Sequence, residues 1–147
     1  MASGLMAEYQ AYIGKLKAAV DDALVIDVAD EVVEHLKSSA QERVYEAYEP
    51  SQYERRESLL KNENYERSSG SMVLEIQSML EGNPDQPPFD SGNITDVIET
   101  GIGYGWLNSR IARQMLPRPF MEEGLQDSVR DGSAENALQK GLESRGF

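Results

Sequence analysis

Apolar residues near the start of the chain recur at steps of three and four, the spacing that places side chains on one face of an α-helix. This series predicts a first helix from about Leu5 to Val20. Its apolar stripe consists of Tyr9, Tyr12, Ile13, Leu16 and Val20. Asp21 and Asp22 interrupt the series, so we expect the first helix to end before them.

A second apolar series is longer and more regular than the first. It predicts a helix that begins with Asp27 as its N-cap and continues to about Tyr48. The residues that step by four along it are Val28, Val32, Leu36, Ala40, Val44 and Tyr48. Pro50 ends this helix, because proline disfavours the helical conformation in the residue before it.

The spacing then changes from helical to alternating. Residues 65–67 and 72–80 are predicted to be the two strands of a hairpin, with 68–71 (Ser-Ser-Gly-Ser) as the turn. Within the second strand Leu74 and Ile76 fall on one face. Glu75 and Gln77 fall on the other, which favours a strand over a helix.

Proline, glycine and asparagine are so dense in residues 81–93 that this segment is predicted to be a long exposed loop. Beyond it, helices are predicted at 119–130 and 134–144, the second with Ser133 as its N-cap. The elements together predict an α+β fold. A small antiparallel sheet is packed by a long N-terminal helical region and by C-terminal helices.

A length of 147 residues is that of one ordinary domain, and a single domain is therefore predicted. Its predicted parts are a helical region at 1–49, strands and a long Pro/Gly loop at 50–105, a basic arm at 106–118, and C-terminal helices at 119–147.

The formal net charge of −12 is unevenly distributed. Residues 68–105 contain six acidic residues and no basic one, whereas residues 106–121 contain three arginines and no acidic residue. An acidic surface repels phosphate, so we expect no specific nucleic-acid binding. The basic stretch suits an acidic patch on a partner protein, and a solvated loop is the alternative.

Few residues are suited to catalysis or to metal binding. The chain has no cysteine, which excludes thiolate zinc sites and cysteine nucleophiles. It has one histidine, His35. The glycines of 101–105 lack the spacing of a nucleotide-binding loop, and the paired acidic residues fit solvated helix faces. We therefore expect no enzymatic activity, no cofactor and no metal. No apolar run reaches the roughly 20 residues of a membrane span, so no membrane partner is expected.

Aromatic and arginine side chains are better indicators, because Tyr, Trp and Arg are enriched at the energetic centres of protein interfaces. Trp106 opens the basic stretch, and Arg110 and Arg113 are three residues apart, so one helical turn would place both on one side. This favours a protein interface at Trp106, Arg110 and Arg113. The alternative is that these side chains pack within the domain itself.

Two segments resemble a known family. Val97-Ile-Glu-Thr-Gly101, followed by Pro117-Arg-Pro-Phe-Met121 and an acidic helix leading into Asn136-Ala-Leu-Gln-Lys-Gly-Leu142, resembles the C-terminal half of neck or tail-completion proteins. These belong to the head–tail joining family of long-tailed bacteriophages of lambdoid type. The segment from Tyr45 to Arg56 is similar to a variant in phages and prophages of Gram-positive bacteria. Many relatives have Thr-Pro-x-Asp-Thr-Gly where this chain has Pro50-Ser-Gln-Tyr53.

The resemblance implies a structural subunit of the virion neck, assembled in the host cytoplasm. Copies of the chain would form a ring, a hexamer or a dodecamer, that contacts neck, head-completion and tail proteins, and its position above or below the tail terminator stays open. DNA would pass through the ring without specific binding. The loop with Pro87 and Phe89 and the arm ending at Arg118 would be docking segments, and Phe120 would anchor the arm to the body.

The charge also fits a different class of protein. A small acidic regulator that binds a basic site on a host protein would have a similar composition. The residues alone leave both interpretations open. Ring formation would distinguish the neck subunit from the regulator.

Overall fold

The computed structural model describes residues 2–46, 58–79, 98–99 and 118–147. The long helices are α1 (Ala2–Ala23), α2 (Ala29–Ala40), α3 (Phe120–Arg130) and α4 (Ser133–Ser144). The other elements are two π-helical stretches (Leu24–Val28 and Gln41–Tyr45), two 3₁₀ turns (Ser58–Leu60 and Asn62–Asn64) and strands β1 (Tyr65–Gly70) and β2 (Val73–Ser78). Helices thus accompany a two-stranded antiparallel sheet, and the predicted α+β fold is confirmed. No helix within the described ranges combines the length and apolar character that a membrane crossing requires.

The N-terminal helical region continues through the predicted break at Asp21 and Asp22. The backbone is right-handed helical at Ala23 (φ −64°, ψ −37°) and at Ala29 (φ −62°, ψ −39°), with a π-helical stretch between them. The predicted N-cap at Asp27 is therefore wrong, because Asp27 lies inside this stretch. An aspartate costs less than about 0.7 kcal/mol relative to alanine within a helix. The burial of the apolar face beyond it outweighs that cost.

The second π-helical stretch carries the helical backbone to Tyr45, and Glu46 forms a turn after it. The predicted helix end at Tyr48 and Pro50 lies outside the described residues.

The chain forms two compact units, each drawn from separate stretches of sequence. The first combines residues 1–32, 67–76 and 128–147, and the second combines 33–66 and 77–127. The single domain expected from the length stays a prediction.

The hairpin alternates as predicted, but its turn lies further along the chain. The buried and half-buried side chains are Tyr65, Arg67, Ser69, Leu74, Ile76 and Ser78. The sequence predicts a turn at 68–71, whereas Gly70 ends β1 and the turn residues are Ser71 (φ 53°) and Met72 (φ 61°). Two successive positive φ angles give a tight turn whose twist matches that of the strands.

In the first unit, Asp21 connects this turn to the end of α1. Its carboxylate Oδ1 accepts a hydrogen bond from the backbone N–H of Met72 at 2.8 Å. Its main-chain carbonyl accepts one from the hydroxyl of Ser69 at 2.6 Å. Arg67 of the same hairpin forms an ion pair with Asp30. The bonds to Asp21 stabilise a left-handed backbone that Ser and Met rarely adopt.

In the second unit, the core forms where the N-terminal helical region meets the start of α3. Its buried members are Ala40, Val44, Leu59 and Phe120. Partly buried side chains surround them: Tyr45, Leu60, Ile98 and Met121. Phe120 has no exposed surface, and burying a phenylalanine contributes about 1.5–3 kcal/mol. It therefore holds the first turn of α3 in place.

Two tyrosines of the second unit bind the backbone of Leu59. The hydroxyl of Tyr65 donates to the Leu59 carbonyl at 2.7 Å, and the Leu59 N–H donates to the hydroxyl of Tyr45 at 3.2 Å. Burial raises the pKa of Tyr65 well above its usual value, and the nearby Tyr45 adds to this effect. A hydrogen bond with Asn64 acts in the opposite direction.

Glycine allows two helix pairs to approach closely. In the second unit, a Cβ on Gly124 of α3 would stand 3.0 Å from the carbonyl oxygen of His35 and 3.0 Å from the Cα of Leu36. In the first unit, a Cβ on Gly141 of α4 would stand 2.6 Å from Asp27 Oδ2 and 3.0 Å from the Cβ of Ala23. Neither site has room for a larger residue.

We expect Gly124→Ala to destabilise the chain by about 1–2 kcal/mol, because its methyl group would collide with the backbone of α2. Gly14→Ala in α1 is the matched control. Nothing lies within 4 Å of a Cβ there, so its higher helix propensity should stabilise by up to about 1 kcal/mol. Urea unfolding measures both variants. Equal changes in the two would contradict the packing described for Gly124.

We also expect stability to fall as the pH rises above about 10. The unfolded chain then releases the Tyr65 proton, whereas the folded chain retains it, so ionisation favours unfolding. Tyr65→Phe should cost about 1 kcal/mol at neutral pH through the lost hydrogen bond, and should flatten the alkaline decline. Urea midpoints from pH 7 to 11 test this, with Tyr9→Phe as an exposed control. An unchanged decline in Tyr65→Phe would refute the assignment.

Candidate functional site

The seven interface candidates from the sequence are only partly covered by the structure. Pro87, Phe89, Trp106, Arg110 and Arg113 lie outside the described residues. Arg118 is half-buried and Phe120 is fully buried in the core of the second unit. The interface roles of all seven stay predictions.

Residues that flank the predicted basic arm are joined to one another. The N–H of Arg118 donates to the carbonyl of Ile98 at 2.9 Å. The two carboxylate oxygens of Glu99 accept hydrogen bonds from the N–H groups of Met121 (3.1 Å) and Glu122 (3.0 Å). The described residues on either side of segment 100–117, which contains Arg110 and Arg113 of the basic stretch, are thus held together. We call this arrangement the arm clamp.

The arm clamp is placed where a negative charge is favourable. The first N–H groups of a helix have no partner within the helix, and they form the positive end of its dipole. The carbonyls of Arg118 and Pro119 accept from the N–H groups of Phe120 and Glu123. Glu99 supplies the acceptors for the two N–H groups between them, those of Met121 and Glu122. Sequence reasoning missed this role, because the acceptor and the donors are more than twenty residues apart. The motif at 97–101, which resembles the neck proteins, was the feature of the sequence that pointed to Glu99.

The first unit contains an apolar surface that the described residues leave mostly exposed. Residues 3–12 of α1 are all exposed. The exposed fractions are 72% for Leu5, 60% for Met6, 61% for Tyr9 and 54% for Tyr12. Together with the half-buried Ile13 and Leu16, these residues form a continuous surface, which we call the α1 stripe.

The stripe ends where α4 begins to cover α1. Ala19 and Ala23 are buried in the first unit, Gly141 approaches Ala23, and the rings of Tyr12 and Phe147 lie 5.9 Å apart at an angle of 51°. The sequence pattern predicted one apolar face along α1, and that face is present. It did not show that only the C-terminal half of the face is packed within the chain.

An open cavity of about 380 Å³ lies in the first unit between the first π-helical stretch, α2 and α4. Its lining residues are Asp27, Asp30, Glu31, Ser133, Asn136, Ala137 and Lys140. Two of its carboxylates are already paired, Asp27 with Arg145 at 2.8 Å and Asp30 with Arg67. No group of three or more acidic or histidine side chains in the described part of the chain is placed to hold a metal ion.

Comparison with known proteins identifies relatives along nearly the whole chain. A family model described as YomN matches residues 6–144. The SPbeta prophage-derived uncharacterized protein YomN of Bacillus subtilis strain 168 is 29% identical over 142 residues, which cover 92% of this chain and 95% of that protein. No solved structure matches the chain.

We expect Glu99→Ala to destabilise the chain by about 1–2 kcal/mol, the usual cost of losing a side chain that caps a helix. Glu99→Gln should cost less, because its single amide oxygen still accepts one of the two bonds. Amide hydrogen exchange at Met121 and Glu122 should accelerate in both variants. Glu135→Ala, at an exposed position in the first turn of α4, is the control. Unchanged exchange at Met121 and Glu122 would contradict the arm clamp.

Proposed function

We propose that this chain, which belongs to the YomN family, is a structural subunit of the phage neck that joins head to tail. Its relative in Bacillus subtilis is prophage-derived, which supports a role associated with phages. The more specific part of the proposal is a ring of chain copies through which DNA passes. It rests on the resemblance of the 97–101 and 117–121 motifs to neck proteins.

The observation that carries this proposal is the α1 stripe. Leu5, Met6 and Tyr9 are each at least 60% exposed on a regular helix. Contiguous apolar surface of this kind marks an interaction site in soluble proteins, because its burial by a partner is favourable. A subunit that is covered by neighbours after assembly has this property.

The arm clamp joins the two motifs that resemble neck proteins. Glu99 of the first motif binds the N–H of Met121 in the second, and Ile98 binds Arg118. The described residues on either side of segment 100–117 are thereby held together. A docking arm would benefit from this, since an arm held at both ends loses less conformational entropy when it binds.

The charge of −12 fits the passage of DNA. A lumen lined by carboxylates repels phosphate and prevents adhesion of the duplex. The basic arm is left for protein partners, which we propose to be neck, head-completion or tail proteins in the virion. Neither membrane nor cofactor is part of this proposal.

The same charge keeps the acidic regulator as a second candidate. It would bind one basic site on a host protein and would be absent from finished particles. The α1 stripe favours the neck subunit, because a regulator that works by charge alone does not need four exposed apolar side chains in one helix.

The decisive experiment deletes the gene from the phage or induced prophage and supplies variants in trans. We expect DNA-filled heads and unattached tails to accumulate, as counted by electron microscopy. The wild-type chain and Gly14→Ala should restore joined particles, whereas the double variant Leu5→Ser with Tyr9→Ser should not. Joined, infectious particles without the gene would refute the neck function. Absence of the chain from purified particles would instead support the regulator.

A further inference from the structure

The exposed half of α1 repeats with the spacing of a coiled coil. Leu5, Tyr9, Tyr12 and Leu16 are separated by four, three and four residues, which is the a/d pattern of a heptad. Ile13 and Met6 flank this seam on one side as e residues. Glu8 and Lys15 flank it on the other as g residues. All six apolar residues belong to the α1 stripe.

We propose that two copies of the chain pair through this stripe, with their α1 helices antiparallel. The two-fold axis passes between Gln10 and Ala11. Tyr9 then packs against Tyr12 of the second copy, and Leu5 packs against Leu16 of the second copy. Met6 meets Ile13 of the second copy at the flank. Each exposed apolar side chain of the stripe finds an apolar partner in this arrangement.

The charged residues select this orientation. In an antiparallel pair, g residues face g residues, so Glu8 lies opposite Lys15 of the second copy, and the same pair occurs twice. In a parallel pair, g residues face e residues, and Glu8 would lie opposite Ile13. Glu8 and Lys15 are exposed, and neither forms an ion pair with another described residue. Only the antiparallel arrangement provides partners for both.

The local charge also favours contact at this surface. Each copy has a net charge of −12, so two copies repel one another over most of their surfaces. Residues 2–20 contain Glu8, Lys15 and Lys17 as their only charged residues, which leaves this segment at +1. Two copies can therefore approach through α1 with little electrostatic opposition.

Like the proposed function, this inference rests on the stripe being an interaction surface, and it adds which partner covers the stripe. A two-fold interface uses the same patch on both copies and closes after two of them. It cannot propagate into a ring. The pair is therefore a form of the free chain in which the stripe is shielded from water before assembly.

Sedimentation velocity across a wide range of protein concentration tests the pairing. The wild-type chain should show a monomer–dimer equilibrium. Glu8→Lys and Lys15→Glu should each weaken the dimer about tenfold, because each places like charges opposite one another twice. An equimolar mixture of the two variants should form a heterodimer of nearly wild-type strength, since opposite charges then face each other in both pairs.

Lys17→Glu is the matched control, because it changes the net charge as Lys15→Glu does but lies at a b position away from the seam. It should leave the dimer nearly unchanged. Failure of the mixture to recover, an equal effect of Lys17→Glu, or a wild-type chain that remains monomeric would each overturn the proposal. Circular dichroism and thermal unfolding establish that every variant is folded.

Engineered cysteines provide a second measurement, since the natural chain has none. A mixture of Tyr9→Cys and Tyr12→Cys should form a mixed disulfide more readily than either variant forms one alone. A parallel pair would reverse this result.

The pairing and the neck function can be refuted independently of each other. Dimers together with normal particles in the gene deletion would refute only the function. Lost head–tail joining without charge-specific dimers would refute only the pairing.

Discussion

The structure depends on close packing between the C-terminal helices and the N-terminal helical region. In the first unit α4 approaches Ala23 and Asp27 at Gly141, and in the second unit α3 approaches Leu36 at Gly124. A glycine at each contact brings the helix backbones close enough for small side chains to pack. The other features follow from these contacts. Phe120 enters its core at the start of α3, and residues 3–12 of α1 stay exposed.

Much of the fold could be predicted from periodicity. The helices and the alternating strands were recognised because each buries one face, and burial repeats with the period of the backbone. The break at Asp21 was wrong, because a weak local preference was outweighed by packing beyond it. The hairpin turn was displaced to Ser71 and Met72, because hydrogen bonds from a distant helix stabilise it. Local patterns do not contain such tertiary contacts.

The candidate surfaces, too, could be predicted only in part from the sequence. An apolar stripe on α1 was evident from the sequence, but periodicity does not distinguish a face that meets its own chain from one that meets another. Only the position of α4 shows where internal packing stops. The bond from Glu99 to Met121 joins residues that no short pattern relates. The family-like motifs pointed to these residues, and the structure shows which atoms connect them.

The π-helical stretch at Leu24–Val28 has a further consequence for the evolution of the chain. Such a stretch holds one more residue than an α-helical turn with the same hydrogen-bond ends, and each residue of an α-helix turns the chain by about 100°. Loss of one residue there would return the stretch to an α-helical turn with the same ends, so Leu5 and Tyr9 would keep nearly the same facing relative to the residues that follow. The chain can thus change its length at this stretch without turning the exposed residues of α1 away from their present face.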